Sequence, residues 1–547
     1  MFISRRKLVI VSGIGKKRSN KDEASFLIRN CPSQFAHFSS FAISPTSNIG
    51  WRCVILLAFE SKSIPREQQL ITRDPSNDED EQPSAEEISV WKDILGALKG
   101  NLRDYTSGSI WRAIIVLAIP MVLEMMMQSV FEIADIFFVG KLGSDAVAAV
   151  GITASLIIIF FAIGLGLSMA ASAMVTRRIG EKDPEGAARA VWQALILTVS
   201  FGIPAGILGA YYAPEMLTLM GASAAVVEVG SGYAAVTFAS NLTIILLFLF
   251  NAVFRGAGDA GAAMKALWIA NILNIVLDPI FIFGWGPIPE MGVTGAAVAT
   301  TIGRSVGVGY QLWILFGGKT RLNIGKKHCR VDGIILRRVL QISGPGMMQY
   351  LIGTASWMAV MRIVADFGSD ALAGYTITIR VIIFALLPSW GISNAAATLV
   401  GQNLGAGQPD RAERSVWYCT LVDVVFLTIM GLIFWINAEA VVRIFVQSPE
   451  AVRVGVESMR MMTAIYPIWA VGMVTVQSFN GAGDTTTPTW INFFVFWVLQ
   501  IPLALLLAHQ FGWGTRGIFT AVIVSQVTAA LTSAHLFRRG KWKTIHV

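Results

Sequence analysis

The chain has 547 residues, of which 54% are hydrophobic and only 14% are charged, and its formal net charge is +8. Soluble chains of this length carry about 25% charged residues, so this composition excludes a water-soluble globular architecture for most of the chain. The charge is concentrated at the start, because residues 1–109 contain 15 of the 43 Lys and Arg residues and 13 of the 35 Asp and Glu residues. The other positive charges fall between apolar runs, which argues against a nucleic-acid-binding surface.

The N-terminal tail, residues 1–87, shows no sustained helical or strand period, and its part 73–87 is acidic and contains proline. Such a composition is typical of disorder, and a start codon assigned too far upstream would explain the tail equally well. Residues 88–108 repeat apolar side chains at helical spacing. This pattern predicts an amphipathic juxtamembrane helix that lies on the membrane surface.

Twelve long apolar stretches follow, and each is long enough to cross a bilayer, which takes about 20 residues. Their approximate ranges are 110–139, 146–174, 187–211, 226–253, 262–284, 291–316, 336–365, 371–400, 415–436, 455–479, 486–510 and 515–537. The runs are continuously apolar and do not alternate as the strands of a membrane barrel do. The sequence therefore predicts an all-α, polytopic membrane protein with twelve transmembrane helices.

The loops between these stretches carry Lys and Arg unevenly, and this bias predicts the orientation. Basic residues are concentrated between spans 2 and 3, between spans 4 and 5 (Arg255 and Lys265), between spans 6 and 7, between spans 8 and 9, and after span 12. Both termini are therefore expected in the cytoplasm. The predicted segments are a tail (1–87), a juxtamembrane helix (88–108), a first lobe with helices 1–6 (109–318), a cytoplasmic loop (319–335), a second lobe with helices 7–12 (336–538) and a cytoplasmic tail (539–547).

The chain repeats itself at one constant offset, the interval that separates Pro120 from Pro345. At this same offset "LGSDAVA" at 142–148 matches "FGSDALA" at 367–373, and "RGAGD" at 255–259 matches "NGAGD" at 480–484. The offset spans six helices, an even number, so both copies insert in the same direction and are parallel repeats. The sequence predicts two six-helix lobes that face each other across a central cavity.

The first span carries several polar side chains, namely Glu124, Gln128, Glu132 and Asp135. At 100° per residue they lie within an arc of about 80°, and such a stripe cannot face lipid. It must face protein or a water-filled cavity, which makes Glu124 and Gln128 candidate cavity residues. Gln349, at the position equivalent to Glu124 in the second copy, is a third candidate.

The fifth span adds Asn274 and Asp278, which lie on one face because they are four residues apart. With Asp135 they offer hard oxygen ligands suited to Na⁺, or carboxylates that could take a proton. The second copy has apolar residues at the equivalent positions, so we expect ion coupling in the first lobe alone. Asp423 is an isolated acid in the ninth span, where packing is the preferred interpretation.

The spans also contain two prolines that could act as hinges and two arginines that are not expected to bind substrate. Pro120 and Pro345 interrupt equivalent spans and are candidate hinges, since proline inside a helix permits a bend. Arg362 and Arg380 are cations within spans, and we expect them to pair with Asp366 or Asp370, or to extend to the membrane interface.

Six segments taken together resemble the multidrug and toxic compound extrusion (MATE) family over about residues 108–540. They are "ADIFFVGKLGSDAVAAVG" (134–151), "NAVFRGAGD" (251–259), "NILNIVLDPIFIFG" (271–284), "GVTGAAVATTI" (292–302), "LVGQNLGAGQPDRA" (399–412) and "NGAGDTTTPTW" (480–490). The resemblance is greatest to the DinF-type branch. In that branch an aspartate of the first helix and an Asn-x-x-x-Asp pair of the fifth form a cation site, and Asp135, Asn274 and Asp278 stand at matching positions. A threonine of the sixth helix belongs to the same site; Thr300 is the best match, with Thr294 and Thr301 as alternatives.

The resemblance implies a secondary active antiporter that exports amphipathic or cationic organic compounds, such as drugs and toxins, in exchange for Na⁺ or H⁺. If the ion is Na⁺, Asp135, Asn274 and Asp278 would hold it. The expected setting is the cell inner membrane, with lipid and small organic substrates as partners, a monomeric chain, no nucleic acid and no cofactor. We expect residues 1–85 to be dispensable for transport.

Two alternatives remain. A lipid-linked saccharide flippase of the same wider superfamily would hold phosphates with cationic cavity residues, whereas the candidates here are acidic. A membrane-bound enzyme is disfavoured because the sequence has no catalytic constellation, and "GAGDAG" at 256–261 follows an apolar helix where a dinucleotide-binding motif would follow a strand.

Overall fold

The computed structural model describes residues 90–99, 104–318, 320–322, 324–545 and 547. The predicted tail 1–87 lies outside the described residues. Within the predicted juxtamembrane segment, helix α1 covers Val90–Lys99, and residues 104–109 are not helical. The side chain of Arg112 pairs with the buried Asp93, which ties α1 to the first long helix.

The first half of the molecule consists of eight helices. They are α2 (Ile110–Gly140), α3 (Ser144–Gly180), α4 (Pro184–Tyr211), α5 (Ala213–Leu219), α6 (Ala224–Ala239), α7 (Asn241–Gly256), α8 (Ala260–Phe283) and α9 (Gly292–Phe316).

The second half has the same order of long and short helices. They are α10 (Gly333–Ala365), α11 (Ser369–Gly405), α12 (Pro409–Ile436), α13 (Ala438–Phe445), α14 (Pro449–Thr463), α15 (Tyr466–Gly481), α16 (Thr486–Gln510, with π-helical turns at Phe493–Gln500 and Leu506–Gln510) and α17 (Thr515–Arg538). Short 3₁₀ turns cover Lys326–His328 and Lys541–Thr544.

Eight of these helices are long and apolar enough to cross a membrane, and two bent pairs bring the number to ten. The bent pairs are α6 with α7, at 43°, and α14 with α15, at 58°. Two of the twelve predicted spans, 291–316 and 336–365, correspond to α9 and α10, which are not among those ten. Glycine, serine and polar residues are frequent in both helices, as is typical of membrane helices packed between other helices. The predicted all-α architecture is confirmed.

The helix boundaries repeat at the offset found in the sequence. Helix α3 and helix α11 begin at Ser144 and Ser369 and end at Gly180 and Gly405, and the pairs α4/α12 and α7/α15 agree in the same way. The turns agree as well, because Gly258 and Gly483 both take positive φ angles, 86° and 85°. The internal repeat is therefore a repeat of structure.

Contacts between the two halves occur in symmetric pairs. The backbone of Gly180 lies so close to the carbonyl of Gln402 that a Cβ atom would collide with it, and Gly405 lies equally close to the carbonyl of Arg177. Arg177 and Gln402 are themselves equivalent positions of the two copies. A contact that recurs with its two partners exchanged indicates an axis of approximate two-fold symmetry between the halves.

A second pair of symmetric contacts lies further along the same two helices, α3 and α11. Gly166 packs against Met347, and Gly391 packs against Val122. These contacts involve the first halves of α2 and α10 and the last halves of α3 and α11. We call this side of the molecule, where α3, α7, α11 and α15 end at Gly180, Gly256, Gly405 and Gly481, the closed end.

Residues 104–109, which precede α2, cross the closed end, and we call them the strap. Arg411 of α12 donates to the carbonyls of Gly108 (2.9 Å), Ser107 (2.9 Å) and Tyr105 (3.3 Å). The Tyr105 side chain is buried, and its hydroxyl donates to the Gly258 carbonyl at 3.3 Å. The strap thus links the second half of the molecule to the first.

The connection between the halves is anchored on α4. Lys327 Nζ lies 2.7 Å from Glu185 Oε1, and His328 Nε2 lies 2.7 Å from Glu185 Oε2. Because Nδ1 of His328 accepts from the backbone N–H of Gly325, Nε2 is the nitrogen that donates to Glu185. These hydrogen bonds, first from Lys327 and then from His328, lower the pKa of Glu185 to about 2.

Candidate functional site

A cavity of about 460 Å³ lies between the two halves. Helices α2, α3 and α6 to α9 of the first half and α10, α11 and α15 of the second half contribute to its wall. The wall combines apolar and aromatic side chains with a limited number of polar groups, as is typical of sites for small organic molecules. The contacts at the closed end lie on one side of this cavity.

The polar stripe of α2 lies on the cavity wall. Glu124, Gln128, Glu132 and Asp135 all line it, as their common helical face predicts. Gln128 Nε2 donates to Glu132 Oε1 at 3.2 Å, so these two side chains are oriented along the stripe. Glu132 is exposed and Asp135 is partly exposed, which leaves both carboxylates open to the cavity.

Asn274 and Asp278 of α8 lie buried behind this wall. Asn274 Nδ2 donates to Thr300 Oγ1 of α9 at 2.9 Å and to Asp278 Oδ1 at 3.3 Å. The structure thus brings together the two α8 residues and Thr300, the first of the three threonine candidates. Thr301 instead donates to the carbonyl of Ala297 in its own helix.

Asp135 completes this cluster from the cavity side, where it lines the wall with Thr300. Its charge interacts electrostatically with that of Asp278. Asn274 Oδ1 and Asp278 Oδ2 are buried oxygen atoms without a hydrogen-bond partner among the described residues. Buried acceptors of this kind are satisfied by a water molecule or by an ion, and we call the group Asp135, Asn274, Asp278 and Thr300 the cation cluster.

The donor set of the cation cluster suits a hard ion. Carboxylate, amide and hydroxyl oxygens are the ligands that hard cations take in proteins. In the part of the chain that the structure describes, no group of three or more His, Cys, Asp or Glu side chains is arranged to hold a metal ion. The oxygen donors of this cluster therefore suit a hard cation or a proton better than a transition metal.

Glu124 is the buried end of the α2 stripe. Its Oε1 accepts from Arg255 Nη1 at 2.6 Å and from Asn251 Nδ2 at 3.0 Å, and Asn251 Oδ1 accepts from Gln311 Nε2 at 2.6 Å. The sequence placed Arg255 among the loop charges, and this was wrong. Arg255 belongs to the last turn of α7, lines the cavity and neutralises Glu124.

The other candidates lie in different places. Gln349 is buried in α10 outside the cavity lining, and its carbonyl accepts from Asn492. Pro120 and Pro345 lie inside the uninterrupted helices α2 and α10. Asp423 is buried between α11 and α12, where Ser389 Oγ donates to its Oδ2 at 2.8 Å.

The expected pairing of Arg362 with Asp366 is present in the structure, since the two form an ion pair one helical turn apart. Arg380 is exposed on α11 and does not line the cavity. A further cation, Arg304, was not among the residues predicted from the sequence; it lies in the middle of α9 and lines the cavity. Its signal was available, because Arg304 is an ionisable residue inside the predicted span 291–316.

Comparison with known proteins gives a family match in both halves. The MatE family model matches residues 120–280 and 345–506, and these two ranges start at the equivalent prolines Pro120 and Pro345. A protein of Thermotoga maritima named "Probable multidrug resistance protein NorM" is 25% identical over 432 residues, which cover 79% of this chain and 93% of that protein.

Two solved structures are similar over most of the chain. One is described as "Outward-facing conformation of a multidrug resistance MATE family transporter of the MOP superfamily"; it has a TM-score of 0.75 and 26% identity, and covers 79% of this chain and 96% of its own. The other is a MOP superfamily transporter from Pyrococcus furiosus, described as having a "reverse polarity of binding pocket". It has a TM-score of 0.75 and 26% identity, and covers 83% of this chain and 99% of its own. The twelve helices of these folds form two lobes, as the two halves do here. The chain therefore belongs to the MatE family, the multidrug and toxic compound extrusion family of multi-pass membrane transporters.

Proposed function

We propose that the protein is a secondary active antiporter that exports amphipathic or cationic organic compounds in exchange for Na⁺ or H⁺. The observation that carries this proposal is the position of Asp135, which lines the cavity and is close enough to the buried Asp278 for their charges to interact. A cation bound there and an organic cation in the cavity would compete for the same negative charge. Such competition is what exchange requires, because each partner favours a different state of the transporter.

The coupling ion acts on the cation cluster. Two interacting carboxyl groups, one buried and one at the cavity wall, are costly while both are charged and unpaired. The cluster can be vacant and protonated, or deprotonated and occupied by Na⁺, and entry of either ion neutralises it. Release of the organic cation on one side would follow, because the charge that held it is then compensated.

The approximate two-fold symmetry supports alternating access by rocking of the two lobes. The close contacts described above join the lobes at the closed end, so the lobes can separate there only if these contacts break. Pro120 lies in the part of α2 that belongs to the closed end, and Asp135 lies about four turns further along the same helix. Bending of α2 at Pro120 would therefore connect the cation cluster to the contacts between the lobes.

We place the protein in the inner membrane of the cell. The distribution of basic residues supports a cytoplasmic location for the closed end. Arg177, Arg178 and Lys182 lie at this end, as do the basic connection between the lobes and the C-terminal residues. Positive residues are retained on the cytoplasmic side of membranes. The conformation described here would then be open toward the outside.

The proposal is tested with inside-out membrane vesicles that contain the full chain. Rhodamine 123, a fluorescent organic monocation, should accumulate inside when the vesicle interior holds excess Na⁺ or excess H⁺, imposed separately. We expect accumulation with one of the two gradients and none without a gradient. Accumulation that is the same with and without the two gradients would refute ion-coupled export.

A lipid-linked saccharide flippase is the second candidate, and Arg304 is the observation that favours it. A guanidinium group in the cavity could hold a phosphate. The carboxylates of Glu132 and Asp135 beside it oppose a phosphate, which is why export of cations is preferred. The test uses liposomes that contain the reconstituted protein. If a fluorescent lipid-linked saccharide crosses their bilayer and rhodamine 123 is not transported, the flippase is favoured.

A further inference from the structure

Arg304 is a cavity arginine whose charge has no ion-pair partner among the described residues. It lies one turn after Thr300 on α9 and lines the cavity. Within the described part of the chain, no carboxylate lies within ion-pair distance of its guanidinium group, which instead lies 5.8 Å from the centre of the Phe131 ring. Arg304 thus brings a partly exposed guanidinium group, which carries five N–H donors, to the cavity wall.

The other arginine of the cavity wall is arranged differently. Arg255 makes a 2.6 Å ion pair with Glu124, and only 14% of its side chain is exposed. Its charge is thus compensated inside the protein. A buried charge is costly unless it is paired, so the contrast between Arg255 and Arg304 requires an explanation for Arg304.

Arg304 has carboxylate neighbours at longer range. The charges of Asp135 and Glu132 both interact electrostatically with it, and both residues line the same cavity. The guanidinium group of Arg304 and the carboxylates of Glu132 and Asp135 therefore lie on the same wall. They are further apart than the two groups of a direct ion pair. A gap of this kind admits a ligand group between the charges.

We propose that Glu132, Asp135 and Arg304 form a dipolar subsite for zwitterionic organic molecules, in which Arg304 receives the anionic group. The ligand's ammonium group lies toward Glu132 and Asp135, and its carboxylate or phosphate lies against the planar fork of the guanidinium, which matches such groups with two parallel hydrogen bonds. This inference rests on the proposed export of organic compounds and names a class of substrate within it.

The dipolar arrangement predicts a preference that depends on the substrate's own charges. A plain cation beside the carboxylates also meets the positive charge of Arg304, whereas a zwitterion compensates both signs at once. Phe161 and Trp390 line the same cavity and are partly exposed, so they can pack against the apolar part of the ligand. Arg304 is thus a specificity-determining residue, and its removal should affect zwitterions and cations unequally.

The test uses two dyes that differ at one group. Rhodamine 123 is a methyl ester and a monocation, and rhodamine 110 carries the free carboxylate in its place and is a zwitterion at neutral pH. Binding of each dye to the purified full-length protein is measured by fluorescence polarisation, and accumulation in inside-out vesicles is measured in parallel. The variants are Arg304→Gln, Arg304→Lys as the charge-conserving variant, and Arg380→Gln as the control, since Arg380 lies on α11 outside the cavity lining.

We expect Arg304→Gln to weaken binding of rhodamine 110 by about tenfold, the loss of a charge-assisted hydrogen bond. Binding of rhodamine 123 should be unchanged or tighter, Arg304→Lys should restore part of the zwitterion affinity, and Arg380→Gln should match the wild type. An equal loss for both dyes, or an unchanged ratio between them, would overturn the subsite. Selective binding without gradient-driven accumulation would leave the subsite standing and refute the proposed antiport.

Discussion

The hydroxyl of Thr300 is the smallest part of the cation cluster and the one that can be removed most cleanly. It accepts the amide hydrogen of Asn274, which orients the Asn274 oxygen inside the cluster. Valine has nearly the shape of threonine but neither accepts nor donates. Substitution therefore changes the chemistry of the cluster while keeping its packing.

We expect Thr300→Val to lower the apparent affinity for the coupling ion by about tenfold. The ion concentration for half-maximal dye accumulation in inside-out vesicles measures this effect. Thr301→Val is the matched control, because Thr301 donates to Ala297 in its own helix, and it should behave as the wild type. Equal behaviour of both variants would remove Thr300 from the cluster.

Single residues were predictable from sequence where helical spacing alone decides their position. The stripe from Glu124 to Asp135 and the pair Asn274 and Asp278 follow from the geometry of one helix each. The ion pair between Arg255 and Glu124 joins residues 131 positions apart. Such a contact depends on how α7 packs against α2, which no spacing within either helix specifies.

Helix α2 is the element in which the hinge and the cation cluster meet. It runs without interruption from Ile110 to Gly140, with Pro120 buried inside it. Proline removes one backbone hydrogen bond from a helix and makes bending easier. The sequence predicted the position of this candidate hinge, but helix continuity through Pro120 was visible only in the structure.

We expect Pro120→Ala to slow gradient-driven dye export by roughly fivefold, which corresponds to about 1 kcal/mol in the barrier, since alanine stiffens α2. Pro204→Ala is the control, because Pro204 also lies inside a long helix, α4, but is exposed on its surface. Export rates are compared at matched membrane abundance. An unchanged rate in Pro120→Ala would show that bending at this position is not part of the cycle.

At the scale of the whole molecule, the strap and Arg411 join the two lobes across the closed end. Three carbonyl groups of the strap accept from this one side chain, which belongs to the other half of the chain. Any motion that opens the closed end must break these hydrogen bonds. They therefore stabilise the present conformation relative to the opposite one.

We expect Arg411→Gln to raise the ratio of open to closed molecules at this end by about tenfold. This change corresponds to the loss of about 1.4 kcal/mol of stabilisation of the closed conformation. Spin labels at Lys182 and Gln408, in turns of the two lobes at this end, report the distance between the lobes. The control is Arg414→Gln, on the same helix but exposed. A distance distribution identical to that of the wild type would contradict a role for the strap in holding the lobes together.

The two-lobe architecture was predictable because the repeat leaves a constant offset in the sequence. The same offset relates helix boundaries such as Ser144 and Ser369, and symmetric contacts such as Gly180 with Gln402. Which end is closed could not be predicted. Both conformations of a rocking transporter use the same helices, and only packing between the lobes distinguishes them.

The central claim is that Asp135 couples an ion gradient to export. The most direct test compares the wild type, Asp135→Asn and Asp423→Asn for gradient-driven accumulation of rhodamine 123 in inside-out vesicles, at matched abundance. Asparagine keeps the volume of the side chain and removes its charge. We predict that Asp135→Asn abolishes accumulation while the protein remains folded in the membrane, and that Asp423→Asn, which changes a buried acid between α11 and α12, has little effect. Normal accumulation by Asp135→Asn would contradict the account and show that the acidic stripe of α2 serves structure alone.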